Sequence, residues 1–256
     1  MSTRTASTPI ELVALDMAGT TVQDDGVVEE AFRRAADRTG VAARRGWEAA
    51  LQYVRDTMGQ SKIEVFTHLA AGDVAAAERA TAQFETAYAE IVAERGVTPI
   101  PGAETTIRAL RDAGLQVWLT TGFAPVTRDA LLDGLGWRAL VDGALSPIDA
   151  GRGRPAPDLV LTALLRAGAS SVRSVAVVGD TVSDVESGRR AGAGFVAGVL
   201  TGAHDRAALE AAAPDAVLTG VTELLATLVE RGLIAVPPVV PASAGVATPS
   251  VPVSVG

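Results

Sequence analysis

The sequence predicts an α/β fold: a parallel β-sheet core covered by helices on both faces, with an all-helical segment inserted after the first strand. Three observations carry this reading. Short apolar runs that suit single buried strands recur at Leu12–Leu15, Leu115–Leu119, Val175–Val178 and Phe195–Leu200. From Ala103 onward they alternate with helical stretches of about 10–15 residues, the pattern of βαβ units. Between residues 25 and 97 the apolar spacing is helical only, with no strand signal.

The run Leu12–Leu15 is long enough for one buried strand and too short for a helix. It stops at Asp16, and the chain turns through Ala18-Gly19 into Thr20-Thr21. The polar turn Val22–Asp25 is placed to serve as a hinge. Residues 27–39 have helical spacing and stop at Gly40. A second helix is expected from Gly46 to Met58, breaking at Gly59 and restarting near Ser61. Asp73 suits the N-cap of a long helix ending before Gly96, with Phe84, Tyr88 and Ile91 along one face. Residues 25–97 thus read as a helical insertion, and 10–24 with 98–232 are expected to form the sheet core.

After Pro99-Ile100-Pro101-Gly102, a helix over Ala103–Ala113 precedes a strand over Leu115–Gly122. Another helix and a short segment near Ala139–Leu145 follow. A helix over Pro157–Ala167 leads to the strand Ser174–Asp180, then come a helix, the strand Phe195–Leu200 and a last helix–strand–helix unit to Arg231. Residues 1–9 and the Pro-, Ala-, Val- and Ser-rich stretch 235–256 lack periodicity and read as disordered ends.

Composition narrows the function. Of 256 residues, 48% are apolar and 20% charged, which is globular composition. A net charge of −8 argues against nucleic acid and against an anionic membrane surface, since both need a basic face. No run of about 18 apolar residues exists, so no membrane span is expected. The start Met1-Ser-Thr-Arg-Thr-Ala-Ser lacks an apolar signal core, so a cytoplasmic location is expected. Cysteine is absent, which removes disulfides, thiol catalysis and cysteine metal sites together. Among 22 basic residues the only lysine is Lys62; lysine supports amine chemistry that arginine does not.

Asp16 ends the first strand, Thr121-Gly122 the second and Asp180 a later one. Parallel strands bring all three to one carboxyl edge, where open α/β sheets bind ligands. Arg154 lies in Gly153-Arg-Pro-Ala-Pro157 at a helix start, and Asp184 follows Asp180 in Gly179-Asp-Thr-Val-Ser-Asp184. Two acidic strand ends suit Mg²⁺, a hard cation that takes oxygen ligands. A hydroxyl, backbone N–H groups and a guanidinium suit the oxygens of a phosphoryl group.

These motifs, with Asp16-Met-Ala-Gly-Thr-Thr21 first, resemble those of the haloacid dehalogenase superfamily of aspartate-nucleophile phosphohydrolases, over residues 10–232. The resemblance implies a Rossmann-like core with a helical cap between the first and second motifs. It implies that Asp16 attacks phosphorus, with Thr20, Thr121, Gly122 and Arg154 on the substrate. It also places Mg²⁺ on Asp16, the Ala18 carbonyl and Asp180, with Asp184 acting through water.

One departure narrows the branch. Phosphatases of this superfamily have a second aspartate two residues after the nucleophile as general acid and base, a role worth about 10²–10⁴-fold. Here that position is Ala18. Asp-x-Ala-Gly-Thr-Thr resembles the phosphonoacetaldehyde hydrolase, or phosphonatase, branch, whose cap lysine lies in Met-Gly-x-x-Lys-Ile. This chain reads Met58-Gly59-Gln60-Ser61-Lys62-Ile63, so its only lysine falls on the imine-forming position and Met58 and Gly59 on substrate-binding ones.

The implied reaction cleaves the carbon–phosphorus bond of a small phosphonate such as phosphonoacetaldehyde. Lys62 condenses with the aldehyde, and the protonated imine is an electron sink that lets the carbon depart as an enamine. Lysine must be partly neutral to do this, so its pKa should be lowered; Val65 and Phe66 share its helical face and favour the neutral amine. Two further departures stand out: phosphonatases generally have a histidine where this chain has Val65 and a tyrosine where it has Phe123. His68 lies off the face of Lys62 and does not replace the former; His68 and His204 are expected to be structural or surface residues. The alternative reading is a phosphoester hydrolase acting on phosphoglycolate-like molecules, and a third is a non-catalytic phosphate-ligand-binding protein. The resemblance also implies a homodimer through the cap helices.

Overall fold

The computed structural model describes residues 8–43 and 46–234. Six strands form one sheet: β1 (Leu12–Asp16), β2 (Gln116–Thr120), β3 (Gly143–Leu145), β4 (Val175–Gly179), β5 (Phe195–Val199) and β6 (Ala216–Leu218). Their order is β3-β2-β1-β4-β5-β6, and every pairing is parallel. This is the doubly wound, Rossmann-like arrangement, in which the strand order reverses beside β1.

Alternation along β1 shows how the sheet is covered on both faces. Leu12 and Ala14 join one apolar cluster with Leu159, Val160 and Ala163 of α8 (Asp158–Ala167) and Val185 of α9 (Val182–Ala191). Val13 and Leu15 point the other way, toward Ile107 and Leu110 of α5 (Ala103–Asp112) and Leu224 and Leu228 of α11 (Leu224–Glu230). The short α7 (Pro147–Ala150) and α10 (Arg206–Ala211) lie on the α8–α9 face through Ala150 and Leu209, and α6 (Pro125–Leu135) lies on the α5–α11 face through Leu131 and Leu132.

Among the described residues between β1 and α5, the regular elements besides two isolated bridges at Val22 are helices: α1 (Val27–Thr39), α2 (Trp47–Asp56), α3 (Lys62–Leu69) and α4 (Val74–Arg95). Asp73 caps α4 by accepting from the Ala76 N–H at 3.0 Å. The inner faces of α1, α3 and α4 meet through Phe32, Phe66 and Phe84, with the Phe32 centroid 4.9 Å from Phe66 and 4.8 Å from Phe84. These rings are fully buried, so the insertion has its own apolar centre, continuous with the sheet cluster.

The register sets up the site. Asp16 pairs with Thr120 and Leu15 with Val178, so the ends of β1, β2 and β4 lie side by side. Two boundaries differ from expectation. β2 stops at Thr120 rather than Gly122: Thr120 is the last residue paired with β1 and β3, and Thr121 donates its N–H to the Leu145 carbonyl at 3.0 Å before the chain turns away. The segment near 139–145 resolves into a turn followed by β3. The expected disordered ends lie outside the described residues, except for Thr8 and Pro9, which are exposed and have no regular structure. Among the described residues no helix is long and apolar enough to cross a membrane.

Candidate active site

At the carboxyl edge, Asp16, Asp180 and Asp184 are all buried, with carboxylate oxygens within 4.8 Å of one another. Arg154 is buried among them: its Nη2 pairs with Asp16 at 2.7 Å, and its Nη1 donates to Asp184. Asp180 is held by the Thr20 hydroxyl at 3.1 Å and the Ala203 N–H at 2.7 Å. Asp184 accepts from the N–H and hydroxyl of Thr181 in the capping box that starts α9. Burial pushes the Asp16 carboxyl well above the usual range against the pull of Arg154, and Asp184 and Asp180 add to the rise. Burial and then Asp184 likewise raise Asp180. Of the three desolvated carboxylates, Asp16 and Asp184 share the Arg154 guanidinium while Asp180 pairs with none among the described residues, and the all-oxygen set suits a hard divalent cation.

Asp16, Arg154 and Asp180 open into a cavity of about 800 Å³ between the sheet edge and the helical insertion. Asp16, Ala18, Arg154, Asp180, Thr121 and Gly122 line it from below; Met58, Gly59 and Lys62 line it from above. Lys62 is 6% exposed, and its Nζ lies 5.5 Å from the centroids of Phe32 and Phe84 and 5.2 Å from that of Phe123. Burial pulls its pKa down to about 8, with Glu85 the largest opposing charge and Arg154 acting in the same direction as burial. At pH 7 roughly a tenth of this amine is neutral, against well under a thousandth for an ordinary lysine.

The loop that carries Lys62 is seated on the motif glycines. A Cβ on Gly153 would lie 2.7 Å from the Ser61 Cβ, and one on Gly59 (φ +84°) 2.5 Å from the Thr181 Oγ1. Two further contacts join the halves. Glu85 of α4 accepts from the Ala124 N–H at 3.3 Å and from the Thr127 hydroxyl, capping α6 from the insertion. His204 accepts the Val182 N–H at Nδ1 (2.8 Å), so its proton sits on Nε2, 3.3 Å from the Arg55 carbonyl.

Nearly all the residues singled out in the sequence meet around this cavity, with two qualifications. Thr20, expected on the substrate, does not line the cavity; it is fully buried and its hydroxyl is committed to Asp180. Asp184 also sits behind the cavity wall, held by Arg154 and Thr181. Val65 and Phe66 are buried beside Lys62 as expected, but the rings over Nζ come from α1, α4 and the β2–α6 turn. Sequence reasoning missed Phe32 and the role of Phe84 here, since helix periodicity marks both only as core. It also read Asp24 only as part of a hinge; His204 makes the structural contacts to Val182 and Arg55, and His68 stacks on Tyr53 with centroids 3.9 Å apart, away from the cavity lining.

Residues 10–192 match the haloacid dehalogenase-like hydrolase family, and the chain belongs to it; it is a hydrolase of the phosphatase and phosphonatase type. A phosphonoacetaldehyde hydrolase from Bacillus cereus is 31% identical over 217 residues, which cover 77% of this chain and 78% of that one. A hydrolase of known structure from Pseudomonas syringae is similar with a TM-score of 0.75 at 25% identity, over 86% of this chain and 98% of its own. A phosphonoacetaldehyde hydrolase like protein from Oleispira antarctica shares the fold, with a TM-score of 0.75 at 23% identity over 91% of this chain and 97% of its own.

Proposed function

We propose that the chain cleaves the carbon–phosphorus bond of a small aldehyde phosphonate through an imine on Lys62, with residues 25–97 as the cap over a core of 10–24 and 98–232. The observation that carries this reading is the position of Lys62. The only lysine of the chain is buried, partly neutral, and lines the same cavity as Asp16. A solvated surface lysine would have none of these properties.

In this reading Lys62 adds to the aldehyde carbonyl and loses water to give a protonated imine. The ring faces of Phe32, Phe84 and Phe123 favour a positive nitrogen, so they suit the iminium as well as the ammonium. The Asp16 carboxylate attacks phosphorus, and the carbon departs with the bonding electron pair into an enamine. Arg154 orients Asp16 and offers its guanidinium to the phosphoryl oxygens, and Thr121 with the Gly122 turn closes the other side. Asp16, Asp180 and the Ala18 carbonyl would hold Mg²⁺, with Asp184 behind them, and the ion would offset the negative charge of nucleophile and phosphonate. Hydrolysis of the aspartyl phosphate completes the cycle. The cap helices serve as the homodimer interface in the same reading, which light scattering at micromolar concentration tests.

One observation favours a second reading, hydrolysis of a phosphoglycolate-like ester: Val65 and Phe123 supply no polar group at the positions where phosphonatases generally have histidine and tyrosine. Phosphate release from phosphonoacetaldehyde, phosphonopyruvate, phosphoglycolate and p-nitrophenyl phosphate separates the two. Phosphonoacetaldehyde should be the preferred substrate, and Lys62→Arg should abolish its cleavage. Preference for phosphoglycolate, unaffected by Lys62→Arg, would establish the second reading instead.

A further inference from the structure

Dehydration of the adduct between Lys62 and an aldehyde needs an acid, because hydroxide does not leave an amine-bearing carbon unless protonated. Ala18, Val65 and Phe123 supply none, and the other rings around Nζ are apolar. The remaining carboxylates near this part of the cavity can be compared. Glu29 is held bidentately by Arg55 at 2.7 and 2.9 Å. Asp56 is exposed and accepts from the Gln52 amide at 2.8 Å, and Asp25 is exposed too. Glu85 does not line the cavity and is committed to α6.

Asp24 differs from all four. It is half-buried and lines the cavity with Asp16 and Lys62. Its Oδ1 accepts the Val28 N–H at 3.0 Å, which fixes it to the start of α1, the helix that also presents Phe32 to Nζ. Its Oδ2 has no hydrogen-bond partner among the described residues. We propose that Asp24 is the acid–base group for the Lys62 amine, a role that rests on the imine reading above.

The step balances without another reactant. Neutral Lys62 and the aldehyde give a carbinolamine; the Asp24 carboxyl donates its proton to the carbinolamine hydroxyl, which leaves as water as the C=N bond forms. After carbon–phosphorus cleavage the enamine carbon takes the proton released by the water that hydrolyses the aspartyl phosphate, and the Asp24 carboxylate then takes a proton from a second water as it adds to the product imine. Asp24 is thereby reset as the product carbinolamine releases aldehyde and amine. The electrostatic setting agrees: burial raises the Asp24 carboxyl, Lys62 opposes the rise, and Glu29 and Asp25 add to it. The Tyr88 phenol on α4 also feels the Asp24 charge, and burial first and then Asp24 and Glu85 keep it protonated.

The test is Asp24→Asn, which retains an oxygen for the Val28 N–H but carries no transferable proton, with Asp24→Glu as the acid-retaining control. Folding of both is checked by circular dichroism. Borohydride trapping of phosphonoacetaldehyde on wild-type protein, located by peptide mass spectrometry, tests the underlying reading in the same experiment. The expected result is that Asp24→Asn slows both trapping and phosphate release by about 10²–10⁴-fold. Formate should restore part of the rate, and Asp24→Glu should retain more activity than Asp24→Asn. If wild-type protein traps at Lys62 and Asp24→Asn traps equally fast, the Asp24 role is wrong and the imine reading stands. A slow Asp24→Asn that formate does not rescue, with an unchanged pH–rate profile, also overturns the acid–base role. Absence of a wild-type adduct overturns both.

Discussion

A Cβ added to Gly122 would lie 2.6 Å from the carbonyl oxygen of Gln60. The strand-end glycine of the core is thus the seat of the loop that carries Lys62, and no side chain fits between them. Gly122 has an ordinary backbone conformation, so close approach and not φ demands glycine here. Gly122→Ala should displace the 59–61 loop by a fraction of an ångström or more and lower kcat/KM for the phosphonate by about 10²-fold. Steady-state kinetics on the folded variant checks this; wild-type kinetics would show that the loop is not positioned by this contact.

His204 ties the two halves at a second point, accepting from Val182 and facing the Arg55 carbonyl. Removing it in His204→Ala frees a backbone N–H and a cap contact. KM for the phosphonate should rise by on the order of tenfold, the worth of one or two hydrogen bonds, with a smaller effect on kcat. A change in kcat with constant KM would contradict a closing role.

Lys62 should cost stability. Its folded pKa, about 8, lies below its ordinary value of 10.5, so between those values the unfolded chain binds more protons than the folded one. Stability attributable to this group therefore rises with pH across that window, and at pH 7 the deficit is at most about 3 kcal/mol. Lys62→Met should melt higher than wild type at pH 7, with the difference shrinking toward pH 10.5. Equal melting temperatures at pH 7 would show that the ammonium is better solvated or paired than its aromatic surroundings indicate.

The fold was legible because β1 and β4 are continuous apolar runs and several helices stop at glycine, as at Gly40 and Gly96. Asp16, Thr121 and Asp180 were legible as a site for the same reason: parallel strands leave no choice about which ends coincide. What was not legible comes from contacts between elements far apart in the chain. The rings of Phe32 and Phe84 look like any helix core, and only the packing of α1 on α4 turns them toward Nζ. Phe123 looks like a lost tyrosine, yet its ring is the nearest to Nζ. The inward turn of the Thr20 hydroxyl depends on Asp180, 160 residues away.

The acidic cluster should bind Mg²⁺ independently of turnover. Mg²⁺ should raise the melting temperature of the wild-type protein in a concentration-dependent way and that of Asp180→Asn much less. Excess chelator should abolish phosphate release. Full activity in chelator, or an equal thermal shift in both proteins, would remove the ion from the reading.

Borohydride trapping decides the chemistry. Protein incubated with phosphonoacetaldehyde and borohydride should lose activity irreversibly and carry a single reduced adduct on Lys62. The only other amine that could compete is the α-amino group. The trapping rate should climb with pH through about 8 as Lys62 deprotonates, and Lys62→Arg should give no adduct and no phosphate from the phosphonate. An adduct elsewhere, or phosphate release by Lys62→Arg at the wild-type rate, would show that carbon–phosphorus cleavage through a Lys62 imine is not what this enzyme does.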